Sequence, residues 1–307
     1  MDSQKIRAVE DAVARSFSRM EGEEYAFLGP AQSVILSRLP LFQGIAERIR
    51  RRMQGCDPGR AVDPWAAFVT GDGAHAMPPA SRHRTVQLHA EPPASARLSL
   101  GIVNGSFDPF HLGHLLMGLD AVADGTCDFS VIIPNADRSA GGSSEKASKS
   151  AHAWRMRTAF EGGVDDFFPI TRLSPFGSQG DAYAAYARLI GENRGLLERL
   201  DEVELVVIIG SDIAFRPQFT EWTNNTYGRI RELLGPRAEI RFRIVERAGF
   251  TECADRARTL DFPVSVVPEI SCASSSAIRL NPVSAVWLYP RAVSLLESYL
   301  LYGHAER

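Results

Sequence analysis

The chain has 307 residues, 45% hydrophobic and 23% charged, the balance of a soluble globular protein rather than a disordered or membrane-spanning one. Its formal net charge of −3 gives no reason to expect a nucleic-acid surface. The charged N-terminus, MDSQKIRAVEDAVARSF, lacks an apolar signal core, and Cys56, Cys127, Cys253 and Cys272 form neither a disulfide framework nor a paired zinc motif. The expectation is a reduced, cytoplasmic protein, built as one large domain with an appendage or as two domains.

From Met1 to about Gln54 the pattern is helical: Ile6, Val9, Val13 and Phe17 recur at helical spacing, and a second stretch, Ala31 to Met53, is broken at Pro40. Its basic cluster, Arg48 and Arg50 to Arg52, reads as a solvated helix face. Gly55 to Ser95 is a loop-rich connector with one candidate strand, Thr85–His89. From Leu98 the rhythm becomes strand, loop, helix. Strands are predicted at Leu98–Val103, Phe129–Pro134, Glu204–Ile209, Arg241–Glu246 and Val264–Val267. Helices are predicted at Leu115–Ala123, His152–Phe160, Ala182–Glu192 and Gly228–Leu234. The predicted fold is therefore α/β, a Rossmann-like doubly wound parallel sheet over residues 96–307, with an additional N-terminal helical region over residues 1–95. Such a sheet binds ligands at the carboxyl ends of its strands.

Directly after the first strand stands GSFDPFHLGHLLM, Gly105–Met117. Gly105 allows a close backbone approach at the strand end, and Asp108-Pro109 turns the chain. His111 and His114 flank Gly113 at the start of a helix, where free N–H groups and the positive dipole end suit phosphate. Two imidazoles there can donate to phosphate oxygens as charge develops on them. Zinc is the poorer reading, because no third ligand is suggested nearby and the pattern is not HExxH. A second phosphate site stands at Ser274, Ser275 and Ser276 before Arg279: hydroxyls and free N–H groups at a helix start, with a planar guanidinium one turn on.

The string GSFDPFHLGH resembles the (H/T)xGH signature of the nucleotidyltransferase superfamily, and is closest to the bacterial nicotinate and nicotinamide mononucleotide adenylyltransferases. The resemblance runs from about Leu98 to Gly303. It includes IIPNADR (Ile132–Arg138), AWRMRTAF (Ala153–Phe160), VIIGSD (Val207–Asp212), IVERAGF (Ile244–Phe250), SSSAIR (Ser274–Arg279) and YPRAVSLLESYLLYG (Tyr289–Gly303). It implies that His111 and His114 are catalytic, with Arg279 gripping the β- and γ-phosphates alongside Ser274, Ser275 and Ser276. Gly105, Ser106, Phe107, Gly113, Gly210, Asp212 and Arg247 would bind the nucleotide, Asp212 through a hydroxyl. Lys146, Lys149 and Arg155 are phosphate candidates, and Trp222 is placed to stack on an acceptor ring.

The activity so implied joins a nucleoside monophosphate, AMP from ATP, to a small phosphorylated acceptor of the pyridine mononucleotide type, releasing pyrophosphate. Magnesium accompanies the triphosphate, and no metal site of the protein's own is expected. Where the family carries S-Y-T, this chain has GSQGDAYAAY (Gly177–Tyr186), which implies a changed acceptor pocket. That departure and the unmatched N-terminal region keep a cytidylyltransferase acting on a phosphonate or phospho-alcohol as a rival; a non-catalytic nucleotide sensor is a second, against which the intact His111, His114, Ser276 and Arg279 argue. The N-terminal helices could cap the site or mediate oligomerisation, so a homo-oligomer is among the expectations; a membrane or nucleic-acid partner is not.

Overall fold

The computed structural model describes residues 97–135, 152–164, 171–174, 182–247, 249–250, 253–271, 273–280, 288 and 292. The predicted N-terminal helices and connector, the loop carrying Lys146 and Lys149, and the closing segment from Tyr289 to Gly303, apart from residue 292, lie outside the described residues. Six strands form one parallel sheet: β1 (Arg97–Gly105), β2 (Phe129–Pro134), β3 (Thr171–Leu173), β4 (Glu202–Gly210), β5 (Ala238–Val245) and β6 (Val264–Val267). Their order is β3-β2-β1-β4-β5-β6. The chain starts in the middle, winds out to one edge, returns and winds to the other, and right-handed crossovers then put helices on both faces.

Burial on both faces explains why the central strands read as near-continuous apolar runs. All six residues of β2 are buried, as is every residue of β1 from Leu98 to Val103. Glu204 of β4 is an exception in kind: a buried carboxylate that accepts from Ser99 Oγ at 2.8 Å and Arg97 Nη2 at 3.0 Å, and pairs with Arg241 Nη2 at 2.9 Å.

The helices are α1 (Leu112–Ala123), α2 (His152–Ala159), α3 (Ala182–Glu192), α4 (Arg194–Leu197), α5 (Ser211–Ala214), α6 (Phe219–Leu234), α7 (Cys253–Ala257) and α8 (Ser275–Leu280). Several differ from the sequence reading. β3, α4, α5 and α7 were not predicted, being three to five residues long and too short to show a period. α2 stops at Ala159, and Phe160 opens a π-helical turn to Val164 in which Gly163 takes φ 99°. α6 begins at Phe219, nine residues before the predicted Gly228. Its buried face is Phe219, Thr223, Thr226, Tyr227 and Ile230, so two threonines fill places where a count of apolar residues finds none. Among the described residues no helix is long and apolar enough to cross a membrane.

β1 and β4 are neighbours whose following connections leave in opposite directions, and the carboxyl edge between them is where a sheet of this class opens a crevice for its ligand. Asn104, Gly105 and the turn into α1 form one wall, and Gly210 with α5 forms the other.

Candidate active site

The turn from β1 to α1 is held from below. A Cβ at Gly105 would lie 2.7 Å from the Phe107 ring, so only glycine admits that ring at the strand end. Phe107 takes φ 45° and its side chain is buried, edge-on to Phe110 at 5.1 Å between centroids. Thr158 of α2 clasps the same turn: its Oγ1 lies 3.2 Å from the Phe107 carbonyl and accepts the Phe110 N–H at 3.4 Å. A left-handed backbone at a bulky residue is costly, and it persists here because aromatic packing and these bonds over-determine it.

This turn delivers His111 and His114. His111 is the N-cap of α1, in extended conformation, and its backbone N–H donates to His114 Nδ1 at 3.3 Å. That bond makes Nδ1 of His114 an acceptor and leaves the ring proton on Nε2 in the neutral imidazole. The two rings stack, with centroids 3.7 Å apart and planes 23° from parallel, and Phe107 packs edge-on to His114 at 4.8 Å. Burial pushes His114 down to about 3, with the positive charge of Arg247 adding to it. Burial also holds His111 well below the usual histidine range, assisted by His114 and Arg247. Both rings are therefore neutral at pH 7. His111 is 1% exposed; its ring faces the His114 backbone N–H in a loose capping box, but among the described residues neither ring nitrogen makes a hydrogen bond of good geometry. A buried, unsatisfied imidazole costs free energy and points to function.

The opposite wall contributes Asp212 and Arg247. Arg247 Nη1 donates to Asp212 Oδ1 at 3.2 Å, Nη2 donates to the Ala273 carbonyl, and the backbone N–H donates to Ser211 Oγ at 2.9 Å. A Cβ at Gly210 would stand 2.5 Å from Asp212 Oδ1 and 3.0 Å from Arg247 Cδ, so glycine is what lets this pair close over the end of β4.

The third piece arrives from the far end of the domain. Ser275 Oγ donates to the Pro109 carbonyl at 2.9 Å, and Arg279 donates through Nη1 to the Asp108 carbonyl and through Nη2 to Ser276 Oγ at 3.0 Å. Ser274 caps α8, its carbonyl accepting the Ile278 N–H at 3.0 Å. Gly113 completes the seam, since a Cβ there would sit 3.0 Å from the His111 ring and 3.1 Å from Ser271 Oγ. Segments separated by some 170 residues thus meet at one turn, bringing His111, His114, Arg247 and Arg279 with the serines to one edge.

Two further predicted residues lie on neighbouring helices, α2 and α6. Arg155 is fully buried and donates from Nη1 to the Asn135 carbonyl at 2.9 Å, so it holds the end of β2. Trp222 is 41% exposed on the first turns of α6, and its ring contact is an edge-on approach to Tyr227 at 6.2 Å. In the stretch that replaces S-Y-T, Tyr186 is core: it is buried, its hydroxyl is 3.1 Å from that of Tyr227, and burial raises its phenol so that it stays protonated. Sequence reading missed Asn104, Asn135 and Ser271, whose polar side chains line the same edge. The signal for Asn104 was a polar residue closing an apolar strand.

No protein-family model matches the chain, and no curated protein matches its sequence. Two solved structures of a nicotinic acid mononucleotide adenylyltransferase from Plasmodium falciparum are similar to it. The one complexed with APC is 13% identical, covers 67% of this chain and 98% of that chain, and has a TM-score of 0.45. The one complexed with NaAD is 14% identical, with the same coverage and a TM-score of 0.48.

Proposed function

We propose that the protein is a nucleotidyltransferase that moves AMP from ATP to the phosphate of a pyridine mononucleotide and releases pyrophosphate. The observation that carries this reading is the buried His111 ring, stacked on a neutral His114 and making no hydrogen bond of good geometry among the described residues, at the N-terminus of α1. A ring in that state is matched by a ligand oxygen, and Arg247 and Arg279 supply the opposite charge a polyphosphate needs. The resemblance of Gly105–His114 to the (H/T)xGH signature supports the same chemistry.

In the reaction, an oxygen of the acceptor phosphate attacks the α-phosphorus in line. The bond from that phosphorus to the β-phosphate bridging oxygen breaks, and pyrophosphate leaves with the electron pair toward Ser274–Ser276 and Arg279. His114 donates from Nε2 to the charge that grows on the α-phosphate, so its hydrogen bond strengthens in the transition state. Asp212 accepts from a nucleotide hydroxyl, and Trp222 stacks on the acceptor ring. Magnesium would enter as part of the nucleotide and neutralise charge on its phosphates.

The test follows pyrophosphate release with each nucleoside triphosphate and acceptor. ATP with nicotinate or nicotinamide mononucleotide is expected to turn over, and His114→Ala to lower kcat by about 100-fold while ATP affinity stays within a few-fold. Release only with CTP and a phosphorylated alcohol or phosphonate overturns the substrate assignment. ATP binding without release from any pair overturns the transferase reading in favour of a sensor.

A further inference from the structure

Asn104 and Asn135 lie beside the phosphate turn. Asn104 is the penultimate residue of β1, in register with Ile133, and Asn135 follows β2 directly. Asn104 Nδ2 donates to the Ile133 carbonyl at 2.7 Å and to Asn135 Oδ1 at 3.3 Å, and Asn135 Nδ2 donates to Ser106 Oγ at 3.3 Å. The backbone of Asn135 is fixed as well: its N–H donates to the Gly105 carbonyl at 2.8 Å, and its carbonyl accepts from Arg155.

One backbone group sets the polarity of this row. A carbonyl oxygen only accepts, so the Asn104 atom facing Ile133 must be its nitrogen. The same nitrogen also faces Asn135, so the atom it meets there must be an oxygen. The second amide is thereby oriented with its nitrogen toward Ser106. A hydroxyl that accepts from an amide N–H keeps its own proton for another partner. Ser106 is partly exposed, between Gly105 and Phe107 in the turn that leads to His111.

We infer that Asn104 and Asn135 are positioning residues that turn the Ser106 hydroxyl into a donor aimed at a phosphate oxygen of the bound nucleotide. The inference rests on the nucleotide-binding part of the proposed function and specifies what the pair of amides does for it. Without them, Ser106 could turn its proton to a neighbouring acceptor on the protein and meet the ligand with a lone pair, repelling phosphate instead of attracting it.

The experiment is a double-mutant cycle read on binding of magnesium–ATP and, separately, of inorganic tripolyphosphate, by calorimetry. Ser106→Ala is expected to weaken both ligands about 5- to 10-fold, and Ser106→Thr to restore them. Asn135→Leu is expected to weaken them by a similar factor in the wild-type background and by less than 2-fold in the Ser106→Ala background. Asn135→Asp, which can only accept, is expected to weaken binding beyond Asn135→Leu. Asn104→Leu acts one link further out and completes the same cycle if Asn135→Leu does not fold. Losses that multiply in the double variant, unchanged binding in Asn135→Leu and Asn104→Leu, or no binding of either ligand by the wild type each overturn the inference. Pyrophosphate release by the wild type reports on the transferase reading independently of the cycle.

Discussion

His114 and His111 are held uncharged by position rather than by composition, and that has a measurable sign. An unfolded histidine titrates near 6.5. In the folded chain burial and Arg247 bring His114 to about 3, and His111 is shifted in the same direction. Above about pH 6.5 both states are neutral, so neither ring alters stability. Below it the unfolded chain takes up protons that the folded chain refuses, and stability falls with pH until the folded value near 3 is reached. At pH 5 the His114 contribution is a loss on the order of 2 kcal/mol relative to pH 7.5. His114→Gln, which cannot titrate, is expected to lose correspondingly less between those two pH values. Urea unfolding of both proteins at pH 7.5 and 5 measures it, and an equal pH sensitivity would show that the ring is not shifted. The histidines themselves were legible in the sequence because their spacing sits inside a recognisable string. Their stacked, neutral state was not, because it depends on Phe107, Phe110 and Arg247, the last of which is 133 residues away from His114 along the chain.

At the scale of the element, α1 carries the histidine turn at its N-terminus while its C-terminus carries the wrong charges. Asp120 and Asp124 stand at the negative end of the helix dipole, where a carboxylate is unfavourable. Arg243 of β5 offsets both: Nη2 donates to Asp120 at 2.6 Å and Nη1 to Asp124 at 2.5 Å and to Thr126 Oγ1 at 2.8 Å. Its side chain is almost wholly buried, whereas Asp124 is partly open to solvent. Replacing it by methionine keeps the bulk and strands the carboxylates, so Arg243→Met is expected to cost about 3 kcal/mol in urea unfolding. Asp120→Asn in the Arg243→Met background is expected to recover part of that loss, and independence of the two changes would mean the cluster is not coupled. Elements such as β1, β2 and α3 could be read from the sequence because each buries a run or stripe of apolar residues at its own period. The first half of α6 could not, since Thr223, Asn224, Asn225 and Thr226 are poor helix formers and the helix exists there through packing on α3 and β5. The cross-chain role of Arg243 was hidden for the same reason: a charge in a strand pattern reads as a solvent-facing position.

Across the whole molecule the candidate site is a junction between the two windings of the sheet. Alternation of strands and helices was enough to anticipate a parallel sheet, and that class of fold directs the search for a ligand to the carboxyl ends of its strands. What alternation could not show is how α8 returns to the turn before α1. Ser275 and Arg279 of α8 bond to the carbonyls of Pro109 and Asp108, and Arg247 bonds to Ala273 just before α8. Carbonyl oxygens have no residue signature, so these contacts carry no trace in the sequence. They make the same arginines serve as ties in the free protein and as phosphate ligands in the proposed complex, and the two roles can be separated by heating. Magnesium–ATP at 100 times its Kd stabilises the folded state by about 2.7 kcal/mol, a rise in Tm of about 5–10 °C for a domain of this size. Arg279→Met removes one hydrogen bond to Asp108 and one to Ser276, at a cost of about 1–3 kcal/mol without ligand. If Arg279 also grips the leaving phosphates, the variant should show less than half of the wild-type rise at the same ATP concentration. A lowered starting Tm with an undiminished rise would assign Arg279 to the tie alone and place the phosphates elsewhere.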